Sequence, residues 1–275
     1  MHEFVSLNHH ILDSQNIALH AASSAALYGK GVFTTIAIYD GTPFLWEKHW
    51  KRLCENSKRL AVDISGFSEK HVKESLQSLV KNNQAKYARA RLTFFDESFS
   101  DIWKVNDEAK TSLLITTAEL RDNVKKISLS VSPYPVNSRS PLVNTKSCNY
   151  LENIFALREA KQKGFDEAIR LNERNEIVSA CLANIFWVKD EDIFTPALET
   201  GALRGTTREF IMDNFDVFEV ISAPSEINEA DSVFITSSGI GIGEVKNIGG
   251  INYRSTKAFE NIQNLIDKFK LISQR

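Results

Sequence analysis

Between Gly31 and Tyr39 the chain reads Gly-Val-Phe-Thr-Thr-Ile-Ala-Ile-Tyr, almost wholly apolar, aromatic or β-branched, and it stops at Asp40-Gly41. Such a run closed by Asp-Gly predicts a strand and a hairpin turn, with Phe44-Leu45-Trp46 opening the return strand. The period then lengthens. Trp46, Trp50, Leu53 and Leu60 recur near helical spacing, and a second helix starts after Ser68, a good N-cap, with Val72, Leu76, Leu79 and Val80 on one face. From Ala88 to Phe95 a period of two returns. Arg89, Arg91 and Thr93 share one face of that strand, and Ala90, Leu92 and Phe94 share the other.

The pattern loosens over Thr116–Asn123, which predicts a linker and a division into a small α/β domain, 1–118, and a larger, barrel-like domain, 119–275. Beyond it, Ile127–Val131 reads as a strand, and a Pro- and Ser-rich loop from Ser132 to Asn144 leads to Lys146. A helix is expected from about Asn149 to Lys163, carrying Leu151, Ile154, Phe155 and Leu157, with Gly164 at its C′ position. Strands follow at Ala168–Leu171 and Asn184–Val188, then a helix from Thr206 and a strand at Ser232–Thr236. A last helix has Phe259, Ile262, Ile266 and Phe269 on one face. Strands and helices mixed in two halves predict an α+β protein.

Composition changes this picture little. The chain has 275 residues with 43% hydrophobic and 25% charged side chains, ordinary values for a globular protein. Lys+Arg 33 against Asp+Glu 35 gives no support for a nucleic-acid or acidic-membrane partner. Three scattered cysteines, Cys54, Cys148 and Cys181, suit neither a disulfide framework nor a zinc site, and a reduced, cytoplasmic setting is expected. The N-terminus shows no targeting pattern, and no apolar run approaches the roughly 20 residues of a membrane helix. The pair His9-His10 is read as loop histidines rather than a metal site, because neighbours on a strand point to opposite faces.

Two stretches carry candidate chemistry. Leu203-Arg204-Gly205-Thr206-Thr207-Arg208 places a Gly-Thr-Thr turn at the start of a helix, where amides and hydroxyls form a phosphate cradle or an ordinary helix cap. Thr236-Ser237-Ser238-Gly239-Ile240-Gly241-Ile242-Gly243 follows an apolar strand with small residues, either for close backbone approach to a ligand or as a flexible loop.

Taken in order, five pieces resemble the class IV aminotransferases, the fold-type IV pyridoxal-phosphate enzymes. They are Tyr28-Gly29-Lys30-Gly31-Val32-Phe33-Thr34-Thr35 with His49-Trp50-Lys51-Arg52-Leu53, then Lys146-Ser147-Cys148-Asn149-Tyr150-Leu151, Ala183-Asn184-Ile185-Phe186-Trp187, Thr195-Pro196 and Gly205-Thr206-Thr207-Arg208. The resemblance spans about residues 28 to 245. It implies pyridoxal 5′-phosphate as cofactor, carried by Lys146, which would also shuttle the proton. Arg52 would bind the phosphate, with Thr206, Thr207, Ser238 and Gly239 completing the cup. Tyr150 would lie near the cofactor's phenolic oxygen, and Tyr28, Phe33 and Arg91 fall at positions similar to substrate-pocket residues. The resemblance also implies a homodimer whose active sites lie between the two domains, with Tyr28 the candidate for a residue lent to the partner.

The departures matter as much. Where the family has a glutamate five residues before the Asn of its Asn-Ile-Phe motif, holding the pyridine nitrogen protonated, this chain has Ser179. Glu176 lies three residues too early to replace it. A hydroxyl shares a hydrogen bond with a neutral ring nitrogen but stabilises a positive one far less than a carboxylate does. Lys30 stands where an acidic or small residue is usual, and the sequence offers no reason. Phe33-Thr34-Thr35, where branched-chain transaminases tend to read Phe-Glu-Gly, and the run Cys181-Leu182-Ala183-Asn184-Ile185-Phe186-Trp187 are similar to the aminodeoxychorismate lyases. Those enzymes release pyruvate from 4-amino-4-deoxychorismate to give 4-aminobenzoate for folate synthesis. In that reading Thr35 positions the proton-transfer step and Arg89 or Arg91 meets a substrate carboxylate. The alternatives are a branched-chain or D-amino-acid aminotransferase, and a protein that keeps the fold while Ser179 impairs its catalysis.

Overall fold

The alternation at Ala88–Phe95 marks the centre of the first sheet. The computed structural model describes residues 1–99, 110–120 and 126–272, and it divides into two units. The first comprises Met1–Leu120, Lys146–Asn149 and the C-terminal Lys270–Arg275; the second comprises Arg121–Thr145 and Tyr150–Phe269.

In chain order the first unit contains β1 (Phe4–Leu7), β2 (His10–Asp13), α1 (Ser24–Tyr28), β3 (Gly31–Tyr39), β4 (Thr42–Pro43), α2 (Trp46–Arg59), α3 (Glu69–Asn82), β5 (Ala88–Asp96) and β6 (Thr111–Glu119). Its strands form one antiparallel sheet ordered β2-β1-β6-β5-β3-β4. The predicted apolar face is the buried one: Ala90, Leu92 and Phe94 are fully buried in a core with Val32, Ile36, Leu53, Val72, Leu76 and Leu79. Ser68 caps α3, its Oγ accepting from the His71 amide. The turn after β3 uses Asp40 and Gly41 at φ +47° and +78°, the geometry an Asp-Gly hairpin requires.

Two expectations are corrected here. The return strand is only Thr42–Pro43: the Phe44 amide still donates to the Ala37 carbonyl, but Leu45, at φ +53°, then turns the chain so that Trp46 already begins α2. The stretch read as a linker begins inside β6, which runs to Glu119 paired along its length with β5; residues 121–123 of that stretch lie outside the described residues.

The second unit contains β7 (Ile127–Val131), α4 (Leu151–Gln162), β8 (Glu167–Leu171), β9 (Ile177–Ala180), β10 (Asn184–Lys189), β11 (Asp192–Pro196), α5 (Thr206–Met212), β12 (Val217–Val220), α6 (Pro224–Asn228), β13 (Ser232–Ser237), β14 (Gly241–Ile248), β15 (Ile251–Asn252) and most of α7 (Lys257–Ile272). Its sheet runs β12-β11-β10-β13-β14-β7-β8-β9, with β15 on β14. The end strand β9 turns directly into β10, the Ala180 amide donating to the Ala183 carbonyl, so the sheet curls back toward its own middle. Aromatic pairs fill it: Phe186 stacks on Phe234 at 5.0 Å, and Trp187 stacks on Phe194 at 6.0 Å.

Helix α4 lies within the expected range, with Lys163 as its C-cap and Gly164 at φ +84° after it. Its buried face is small, Ala156 and Ala160, packed with Ala168 and Cys181, while Leu151, Ile154 and Phe155 are exposed. Alanines let the helix sit close to β8, which leaves the larger apolar residues on the outer side. The stretch after β13 is likewise not a loose loop: Gly241–Ile248 is a strand, and a Cβ on Gly243 would lie 2.3 Å from Ile127 Cδ1.

Candidate active site

Lys146 belongs to the first unit because its segment pairs with the start of β3. The Phe33 amide donates to the Lys146 carbonyl and the Cys148 amide to the Gly31 carbonyl, both at 2.9 Å, and Val32 and Ser147 form an antiparallel bridge. This fixes the lysine beside the strand face that carries Phe33. Its Nζ lies 4.6 Å from the Phe33 ring centroid, and the Arg91 guanidinium lies 3.7 Å from the same ring. Burial, then the charges of Arg52 and Arg91, hold the Lys146 ammonium well below the ordinary lysine range. A neutral amine at moderate pH is what a covalent carrier and proton shuttle needs.

The register places Thr35 directly opposite Arg91, and alternation puts Phe33, Thr35, Arg89, Arg91 and Thr93 on one face. Arg91 is exposed and its Nε donates to Thr93 Oγ1; Arg89 is half-buried opposite Ala37. Tyr28 ends α1, 45% exposed.

Behind that face lies a network the sequence reading missed. Thr34, fully buried, accepts from Arg52 Nη2 at 2.7 Å and lies 2.6 Å from His49 Nδ1. Burial, with Arg52 and Lys146 adding to it, keeps the His49 imidazole well below its ordinary pKa and so neutral. Arg52 thus donates to a neutral acceptor. The three residues stood in the motifs quoted above; only the register shows that Thr34 turns toward α2 while Thr35 turns away from it.

Lys30 also acquires a role. Its Nζ lies 2.7 Å from the buried Asp96 carboxylate. Burial alone would raise the pKa of Asp96, but the hydrogen bonds from Lys30 and Ser98 outweigh it and hold the group ionised. His9 sits in the β1–β2 turn with Nδ1 2.7 Å from Ser75 Oγ, and the described residues contain no metal-binding cluster.

In the second unit, Thr206 and Thr207 are buried at the start of α5. Thr206 Oγ1 lies 3.1 Å from Ser238 Oγ, which joins two hydroxyls 32 residues apart; Gly239 follows in the same turn. Asn184 organises the approach. Its Nδ2 donates to the Leu203 carbonyl at 2.8 Å, and a Cβ on Gly205 would collide with its Oδ1, so a larger residue there would displace the Asn184 side chain. Helix α5 has only seven residues, so amides and hydroxyls, rather than a helix dipole, are what this turn offers an anion.

Tyr150 occupies the N-cap position of α4. Ser179 is half-buried on β9, directly opposite Arg170 on β8. Glu176 does not stand in for the missing glutamate: it is forked by Arg174 and bonded to Asn172 Nδ2 in the β8–β9 connection. Arg170, 1% exposed, was overlooked in the sequence; the signal was an arginine inside the apolar strand Ala168–Leu171.

In the first unit, a desolvated amine beside a guanidinium bonded to a neutral partner suits an aldehyde cofactor bearing a phosphate. Comparison with known proteins gives that chemistry its family. The model of the class IV aminotransferases matches residues 31–248. A Methanocaldococcus jannaschii protein named for branched-chain-amino-acid aminotransferase activity is 30% identical over 275 residues, covering 97% of this chain and 95% of that protein. The aminodeoxychorismate lyase of Bacillus subtilis is 29% identical, covering 91% and 88%. Among solved structures, the branched-chain aminotransferase of Thermoproteus uzoniensis has the same fold, with a TM-score of 0.92 at 24% identity, covering 100% of this chain and 97% of that one. The chain belongs to the class IV aminotransferases, a family of pyridoxal-phosphate-dependent enzymes with this two-domain α+β fold. Among the described residues no helix is long and apolar enough to cross a membrane.

Proposed function

We propose that this enzyme is a 4-amino-4-deoxychorismate lyase, releasing pyruvate and 4-aminobenzoate. The observation that carries the reading is the pairing of Thr35 with Arg91 on the sheet face that also presents Phe33 to Lys146. It puts a hydroxyl, an exposed guanidinium for a substrate carboxylate and the shuttling amine along one face.

In this proposal Lys146 carries the cofactor and moves the proton at its Nζ. Arg52 holds the phosphate, with the amides and hydroxyls of Thr206, Thr207, Ser238 and Gly239. Tyr150 would hold the phenolic side of the bound cofactor's ring, and Ser179 would serve as hydrogen-bonding partner to its nitrogen. Bound pyridoxal phosphate supplies the electron sink. Phe33 and Tyr28 bound the substrate, Arg91 or Arg89 binds its carboxylate, and Thr35 orients the proton transfer. A serine in place of a carboxylate at 179 weakens the sink, which penalises transamination more than an elimination whose leaving group takes the electrons and whose product is aromatic.

The second reading is a branched-chain or D-amino-acid aminotransferase, favoured by the 30% identity to the Methanocaldococcus protein. Purified holoenzyme incubated with aminodeoxychorismate is expected to release 4-aminobenzoate and pyruvate together. Incubated with amino acids and 2-oxoglutarate, it is expected to form glutamate much more slowly. Rapid glutamate formation with no 4-aminobenzoate would reverse the assignment, and neither product would leave a family fold with impaired catalysis.

The proposal includes a homodimer. Leu151, Ile154 and Phe155 expose an apolar strip on α4, the kind of surface a partner copy covers. Sedimentation is expected to show a dimer, and Phe155→Glu to weaken it; a fully active monomer would refute this.

A further inference from the structure

Strand β8 buries an arginine where its neighbours are apolar. Arg170 Nε donates to the Tyr134 carbonyl at 3.2 Å, and its buried Nη1 has no hydrogen-bond partner among the described residues. The residue directly opposite in the antiparallel register is Ser179. Side chains so paired leave the sheet on the same face with Cβ atoms about 4.5–5.5 Å apart. The titratable groups that act electrostatically on the guanidinium are Cys181, Glu152 and Tyr150. The three acids of the hairpin itself are engaged elsewhere: Glu167 accepts from the Cys181 amide, Glu173 bonds Ser138 and Arg174, and Glu176 bonds Arg174 and Asn172.

We propose that Arg170 sets the protonation state of the cofactor's ring nitrogen, keeping it unprotonated. The inference rests on the placement of Ser179 at that nitrogen in the function proposed above. A guanidinium neither accepts a proton nor gives one up. Beside Ser179 it makes the site the electrostatic inverse of one holding a carboxylate: a pyridinium would meet a buried like charge, while a neutral nitrogen would meet hydrogen-bond donors. Arg170 acts here as a positioning residue, through the field it imposes and the hydroxyl it faces.

The inference also changes what a restored glutamate would do. A Glu at 179 would find Arg170 opposite and pair with it across the strands, rather than with the ring. Protonation should then require both changes, Ser179→Glu and Arg170→Leu, and the two should be strongly non-additive.

The test loads the enzyme with pyridoxal phosphate labelled with nitrogen-15 in the ring and reads the nitrogen's chemical shift at neutral pH. Wild type, Ser179→Glu and the charge-preserving Arg170→Lys are expected to give the unprotonated signal, and Ser179→Glu/Arg170→Leu the protonated one. A shift of about 1–3 units in the nitrogen's apparent pKa is expected between wild type and the double variant. An arginine that merely tied down the Tyr134 loop would not move this signal in a folded protein. A protonated signal in wild type would overturn the inference whether or not any variant folds. So would full protonation in Ser179→Glu alone. Those outcomes leave the functional reading standing; failure to bind the labelled cofactor at all would overturn that reading, and this inference with it.

Discussion

Lys146→Ala is expected to reduce turnover by at least the roughly 10²–10⁴-fold that a positioned acid–base group contributes, and to abolish fixation of the cofactor to the protein by borohydride. In the wild type, reduction should place the label on the peptide containing Lys146. The position is distinctive because two guanidinium groups and burial act on one amine: burial is the largest influence, and Arg52 and Arg91 add like charge. Covalent capture should therefore rise with pH at a midpoint below that of surface lysines, whose ordinary value is about 10.4. The stability consequence has a definite sign. Between the depressed folded value and the ordinary one, the unfolded chain binds more protons, so stability rises with pH across that window; below both values the penalty is fully present. At neutral pH Lys146→Met should thus fold at least as well as wild type while losing the chemistry. A variant that unfolds, or label recovered on another lysine, would remove Lys146 from its assigned role.

Trp187→Ala is expected to cost about 3–5 kcal/mol, the range for deleting a buried aromatic. Trp187 is 2% exposed on β10, opposite Phe194 on β11 and Val233 on β13. It stacks on Phe194, which stacks in turn on Phe218 at 5.5 Å, so its loss empties the head of an aromatic row. Against typical stabilities of about 5–15 kcal/mol this is a large fraction. Urea unfolding should show a lower midpoint with little change in slope. Strand β10 also begins at Asn184, whose amide steadies the turn before Thr206, so the variant should retain cofactor less well even where it remains folded. A loss under about 1 kcal/mol would mean that the surrounding strands close over the gap.

Where side chains obey a simple period, the sequence was a good guide. The faces of β5, the cap and buried stripe of α3, and the strand of β10 follow from alternation, capping chemistry and apolar runs alone. It fell short where a tertiary neighbour decides. The outward tilt of Leu151, Ile154 and Phe155 depends on how closely Ala156 and Ala160 approach β8, which no local period encodes. The short β4 and Leu45 at φ +53° reflect a turn that propensity does not predict. Among the candidate site residues, motif order singled out Lys146 and the hydroxyls of Thr206 and Ser238, and the structure buries the lysine and brings the two hydroxyls within 3.1 Å of each other. The Thr34–His49–Arg52 network and the Arg170–Ser179 pair were not legible, because each depends on which residues a strand register brings face to face.

The segment Lys146–Asn149 has a consequence for how this chain can be divided. It belongs to the first unit but lies beyond that unit's strands in sequence, reached only after the loop that follows β7. Strand β4 pairs only with Ile38 and Tyr39, so the opening residues of β3 have their free side covered by Lys146–Cys148. A fragment ending at Leu120 would lose not only the reactive amine but also its cover, baring the amide and carbonyl of the apolar Gly31–Phe33 edge. Such an edge recruits other strands, so the fragment should self-associate, and a short peptide spanning the lysine should compete with that association.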